Sequence, residues 1–185
     1  WLRDMSCFQN IREIGGYLDI RYNDALMNVD GLSSIISVIG DLNIQHNIAL
    51  ANVDGLSSLT NVGGNLKIYN NDAMTNVDDL YSLTSVGRFL WISENAALTN
   101  VDGLYSLTSV GSHLIIQNNA ALTDIDGLES LTNVGGFLRI QGNNALNSLS
   151  GLSSITEIGS SVDIRGNGAN SAPQNVRDAT NDCRS

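Results

Sequence analysis

Lysine occurs once in these 185 residues, at Lys67, cysteine twice, at Cys7 and Cys183, and proline once, at Pro173. A net charge of −10 with so little lysine removes the attraction that nucleic acid and anionic membrane surfaces require. Two cysteines and two separated histidines, His46 and His113, cannot supply a four-ligand zinc site. No apolar run approaches the ~18 residues of a membrane span, so direct membrane insertion is not expected. The chain has no Gly-rich phosphate loop opening a long helix, no Gly-x-Ser-x-Gly elbow and no cluster of metal ligands. His113 could be grouped with Asp102 and a serine, but serine is scattered everywhere, so the coincidence carries no weight. The sequence reads as non-enzymatic, with no cofactor and no metal. It also lacks an Asn-x-Ser/Thr sequon, which disfavours a eukaryotic glycosylated ectodomain.

What fills the chain instead is a unit of 24 residues, clearest in Phe89 to Ser112. Leu90 recurs as Leu18, Leu42, Leu66, Leu114, Leu138 and Val162, and Ile92 recurs as Ile20, Ile44, Ile68, Ile116, Ile140 and Ile164. A fixed period of this size means stacked coils, each covering the apolar face of the next. Leu-x-Ile has the alternation of a short strand. The apolar positions that follow, Leu98, Val101, Leu104, Leu107 and Val110, come every third residue, as in a coil that turns repeatedly around a core. The expected fold is mainly β: a right-handed solenoid of seven parallel strand-bearing coils. Residues 1–168 form its single domain, with 1–15 a partial coil and 16–168 the seven repeats. Residues 169–185 lose the pattern and read as a degenerate closing coil or a tail.

Neighbouring coils should be ~4.8 Å apart, which separates the outer strands by roughly 29 Å. A disulfide needs Cα atoms within ~7 Å. Cys7 and Cys183 therefore should not pair within one straight solenoid. Two unpaired thiols, or a disulfide between neighbouring molecules, are the readings left open.

Several ladders accompany the core. Asn23, Asn47, Asn71, Asn95, Asn119, Asn143 and Asn167 follow the strands and are expected to turn inward to satisfy backbone groups of adjacent coils. Ala25, Ala49, Ala73, Ala97, Ala121, Ala145 and Ala169 mark a place with room only for a methyl. Asp30, Asp54, Asp78, Asp102 and Asp126 each precede a single helical or 3₁₀ turn that their carboxylates are expected to cap. A calcium ladder is the competing reading, but the dense Asp/Gly ligand loop is missing. The glycine pairs Gly63-Gly64 and Gly135-Gly136 permit the turn into the next strand. Ser-x-Thr pairs such as Ser82/Thr84 and Ser106/Thr108 form a hydroxyl ladder that resembles an ice-binding face, although Tyr81 and Tyr105 interrupt its flatness.

Outward strand positions break the uniformity. Phe89, Trp91, Ile115 and Phe137 are apolar where water is expected, and Lys67, Tyr69, His113 and Arg139 border them. Aromatic anchors within a polar rim define the candidate ligand-binding face.

The order of strand Leu-x-Ile, Asn, spaced Leu/Val and a Gly turn resembles the leucine-rich-repeat superfamily. Cys7-Phe8-Gln9-Asn10-Ile11-Arg12-Glu13-Ile14-Gly15-Gly16-Tyr17-Leu18-Asp19-Ile20 is more closely similar to the entry of a receptor L domain. The resemblance covers roughly residues 7–168. It implies a ligand-binding solenoid at the cell surface or outside the cell, although the copies here are more uniform and the additional cysteines of those receptors are missing. The expectation is a recognition or adhesion module whose strand face takes a protein or glycan ligand. The alternative is a structural subunit that associates end to end into a filament.

Overall fold

Each Leu-x-Ile motif begins a four-residue strand: Leu18–Arg21, Leu42–Gln45, Leu66–Tyr69, Leu90–Ser93, Leu114–Gln117, Leu138–Gln141 and Val162–Arg165. In this computed structural model, which describes residues 2–168, the strands stack in chain order into a parallel sheet of seven. Register follows the repeat, so that Leu66, Leu90 and Leu114 lie side by side, as do Lys67, Trp91 and Ile115. The protein is a mainly β, parallel solenoid, and no α-helix occurs among the described residues.

A second parallel sheet accompanies the expected one. The residues just before each glycine turn pair as seven two-residue strands, from Glu13–Ile14 to Glu157–Ile158. Between the two sheets, Asp-Gly-Leu closes a single 3₁₀ turn in Asp30–Leu32, Asp54–Leu56, Asp102–Leu104 and Asp126–Leu128. Leu98, Val101, Leu104, Leu107 and Val110 are all fully buried, and the core runs without a break from Met5 to Leu152. Met5 and Phe8 of the partial first coil pack onto this core, whereas Leu2 is exposed.

The expected aspartate cap does not form. Asp102 is the first residue of its turn, and the capping position belongs to Val101, which has no side-chain acceptor. The Asp102 N–H donates instead to Asn100 Oδ1 at 3.1 Å, and Asn28, Asn52 and Asn76 serve Asp30, Asp54 and Asp78 in the same way. An asparagine side chain two residues upstream mimics a backbone turn and satisfies the donor.

The role expected of the glycine pairs is also corrected. Neither Gly63 nor Gly135 has a positive φ; a Cβ on either would run into a backbone carbonyl of the preceding coil, Ile39 or Gly111. Close approach of backbones, rather than turn conformation, selects glycine here. Left-handed backbone lies one residue after each strand, at Tyr22, His46, Asn70, Glu94, Asn118, Gly142 and Gly166.

That left-handed corner turns the following asparagine inward, as the sequence leads one to expect. Asn95 is fully buried. Its Oδ1 accepts the Asn71 N–H at 3.1 Å, while its Nδ2 donates to the Ile68 carbonyl at 3.0 Å and to Asn119 Oδ1 at 3.4 Å. Asn47, Asn71, Asn119 and Asn143 repeat this pattern, so one side chain per coil satisfies two buried backbone groups of the preceding coil and is itself linked to the next asparagine.

Candidate functional site

Parallel pairing in repeat register converts variation along the sequence into rows across the sheet. The middle row reads Lys67, Trp91, Ile115 and Arg139 on consecutive strands. Phe89, His113 and Phe137 precede those strands, and Tyr69 ends the strand before Trp91. All eight candidate residues therefore lie on one contiguous face.

Their exposure differs from the expectation. Ile115 is only 8% exposed, because it sits between Trp91 and Arg139 in the row. Phe89, Trp91, His113 and Phe137 are half-buried. The rings cover one another: His113 stacks on Phe89 with centroids 4.6 Å apart and on Phe137 at 3.8 Å, and Arg139 lies 5.2 Å from the Phe137 centroid. A second series joins Tyr22 to His46 at 4.7 Å, His46 to Tyr69 at 5.5 Å and Tyr69 to Trp91 at 5.7 Å. Four of these contacts are stacked, with ring faces toward their neighbours, whereas His46 and Tyr69 meet edge to face at 79°. Tyr22 and His46 belong to this assembly but escaped the sequence reading, since they follow the strands and enter the face only through their left-handed backbone. Aromatic residues at that one position in two consecutive repeats were the available signal.

Beneath the rings, side chains hold the backbone. Asn65 Oδ1 accepts the Phe89 N–H at 3.2 Å, and His113 Nδ1 accepts the Phe137 N–H at 3.1 Å, which places the proton of the neutral imidazole on Nε2. Asp41 Oδ1 accepts the Asn65 N–H at 2.8 Å. That bond holds the Asp41 carboxyl below the usual carboxylate range, helped by the Asn65 side chain, Lys67 and Arg88, against the opposing effect of burial. Burial pushes the Tyr69 phenol up. Lys67 makes no ion pair among the described residues, whereas Arg139 bonds Asp163 at 3.1 Å.

Other candidates lie apart from this face. Thr84, Thr108 and Thr132 are exposed, but each hydroxyl donates to the carbonyl of the threonine one coil earlier. Tyr81 and Tyr105 are exposed on the same side as the serine and threonine segments. Cys7 is a free, exposed thiol, and Cys183 lies outside the described residues. No helix among the described residues is long and apolar enough to cross a membrane.

The fold and face define a parallel β-solenoid with a chemically varied strand surface. No protein-family model, curated protein or solved structure matches the chain.

Proposed function

We propose that this protein is a non-enzymatic recognition or adhesion module, extracellular or at a cell surface, that binds a protein or glycan ligand through its strand face. One observation carries the reading: Lys67, Trp91, Ile115 and Arg139 form an in-register row, cationic at both ends and apolar between. Rows inside the solenoid repeat the same residue coil after coil, because each must fill the same space. A face that only had to meet water would need no such departure, and aromatic residues with an arginine at the margin are what protein interfaces concentrate. The entry motif from Cys7 to Ile20 supports a kinship with receptor L domains and a leucine-rich-repeat type of coil. Stacked rings make the patch rigid, so little ordering cost falls on the protein when a ligand docks.

The test is a binding screen against arrayed glycans and secreted proteins, run with wild type, Trp91→Ser, Phe137→Ser and the remote Tyr105→Ser. A ligand held by wild type and Tyr105→Ser but lost by both face variants supports the reading. Ligands that bind all four chains equally would remove the face from consideration.

A further inference from the structure

The row from Lys67 to Arg139 has a length and a charge pattern of its own. Adjacent strands lie ~4.8 Å apart, so these two residues, three strand steps from each other, stand about 14 Å apart at the backbone. Neither end is neutralised. At the first, the Asp41 carboxyl, held low chiefly by the Asn65 N–H, is drawn lower by both Lys67 and Arg88. Lys67, the only lysine of the chain, makes no ion pair among the described residues. At the second end, Asp163 divides its two oxygens between Arg139 at 3.1 Å and Arg165 at 3.2 Å. Two cations thus face one carboxylate at each end, in a chain whose net charge is −10. Between them Trp91 and Ile115 are uncharged, and Glu94 follows its strand outside the row.

An extended peptide advances ~3.3 Å per residue and turns alternate side chains to one side, so residues i, i+2 and i+4 span about 13 Å on a single face. Laid along the solenoid, such a segment sets residues i and i+4 over Lys67 and Arg139, and residue i+2 over Trp91 and Ile115. Carboxylates at the outer places complete two charge-assisted pairs, and an apolar side chain at the middle one covers what the row leaves apolar. A polyanionic glycan would bring charge to the ends as well, but its repeating anions would also be set against Trp91 and Ile115. Nor are the rings open to a flat sugar: His113 has a ring on either side, and Trp91 stacks on Tyr69. The outer members of the row, Asp19 and Asp163, penalise an unbroken acidic run and so fix the register. We infer that this row reads an extended peptide segment with carboxylates four residues apart and an apolar residue midway between them. The inference rests on the strand face being the binding surface.

The intact chain would be titrated with the blocked peptide Gly-Thr-Glu-Thr-Phe-Thr-Glu-Thr-Gly by calorimetry, with amide shifts followed by NMR. Binding is expected, with shifts centred on residues 66–69, 90–93, 114–117 and 138–141. Exchanging the second glutamate with the threonine before it turns the two carboxylates to opposite sides, and should weaken binding by about tenfold or more. Lys67→Gln and Arg139→Gln should each weaken it by about tenfold, the loss of one charge-assisted contact. The Lys67→Glu/Arg139→Glu variant should reject this peptide and take the one with lysine in place of both glutamates. Because Lys67 has no ion pair to lose, Lys67→Gln should leave the unfolding temperature unchanged, which separates lost binding from lost fold. The inference is overturned if the peptide does not bind, if the altered spacing binds equally well, or if the charge-reversed variant keeps the original preference. A heparin hexasaccharide, or a ligand from the screen, that binds in its place and is lost on Trp91→Ser would reject the acidic peptide while the recognition face stands. Absence of any Trp91-dependent binding would reject both.

Discussion

Asp19 and Asp163 occupy the same position in the first and last strands of the seven-stranded sheet, and each is paired with the arginine two residues on, at 3.0 Å and 3.2 Å. None of the strands between them carries that pair. End-to-end stacking in repeat register would set Asp163 of one molecule beside Asp19 of the next, and Arg165 beside Arg21. Like charges directly opposite are unfavourable, and charged edge strands resist pairing with another chain. Wild type is therefore expected to sediment as one species at low and high salt. A variant that removes both clashes, Asp19→Asn/Arg21→Gln/Asp163→Asn/Arg165→Gln, should shift toward larger species at low salt. A wild type that polymerises at low salt would instead favour the filament.

The asparagine ladder should dominate single-residue stability. Asn95→Ala strands the buried Asn71 N–H and Ile68 carbonyl, at about 1–3 kcal/mol for each group left unmatched. Asn100→Ala removes the Asp102 N–H acceptor and an exposed bond to Thr99 Oγ1, and should cost ~0.5–1 kcal/mol. Urea unfolding of the two variants checks the order.

Asp79 stands where four of the other Asp-initiated turns have glycine. At the matching Gly103, a Cβ would meet the Val77 carbonyl, so Gly103→Ala is expected to destabilise by about 1–3 kcal/mol. Asp79→Gly should raise stability at neutral pH by removing a carboxylate whose pKa burial and neighbouring aspartates push up. Gly15→Ala, with open space at its Cβ, should be neutral or stabilising by up to ~1 kcal/mol. Thermal unfolding of the three separates steric from charge effects.

Two sets of carboxylates respond to acid in opposite senses. Asp41 is held low, chiefly by the Asn65 N–H, so its contribution is present above the unfolded value of 3.8 and disappears as pH falls through its lower folded value. Asp54 and Asp102 are pushed up, first by burial and then by adjacent aspartates. The folded state binds their protons more readily, so stability rises as pH falls through their folded values and the gain is complete below 3.8. Asp102→Asn should therefore stabilise at neutral pH and low salt, by no more than about 0.5 kcal/mol for an exposed, screened group. Asp41→Asn should remove part of the loss below pH ~4. Unfolding measured from pH 3 to 7 tests both signs.

Ring stacking sets a smaller stability scale than the core. Trp91→Ser removes a half-buried ring and its contact with Tyr69, for about 1–3 kcal/mol. Leu66→Ala opens a fully buried layer and should cost ~2–5 kcal/mol. Denaturant midpoints showing Trp91→Ser to be the costlier would place that ring in the core.

The solenoid was legible because one steric problem is solved in the same way in every coil. Leu-x-Ile, the spaced Leu/Val positions and the inward asparagine each occur at every turn, so chance matches cancel. The second sheet was not legible, since two residues such as Ser85–Val86 are too short to show a period. The cap was misassigned because Asp102 and Asn100 are both good capping types, and only backbone geometry decides between them. On the face, composition told that Phe89, Trp91, His113 and Phe137 depart from the repeat. It could not tell that His113 would stack between Phe89 and Phe137, which depends on rotamers and strand spacing.

Each asparagine from Asn47 to Asn143 bonds to the coil before it and the coil after it through groups that all coils share. Excision of Phe89 to Ser112 would lay the strand Leu114–Gln117 against Leu66–Tyr69 with every buried partner replaced by its equivalent. Outside, Lys67 would become the neighbour of Ile115, and Trp91 would be gone. Unequal recombination between repeats can thus shorten or lengthen the molecule by whole units while reshuffling what it displays, which makes scaffold and specificity separately heritable traits.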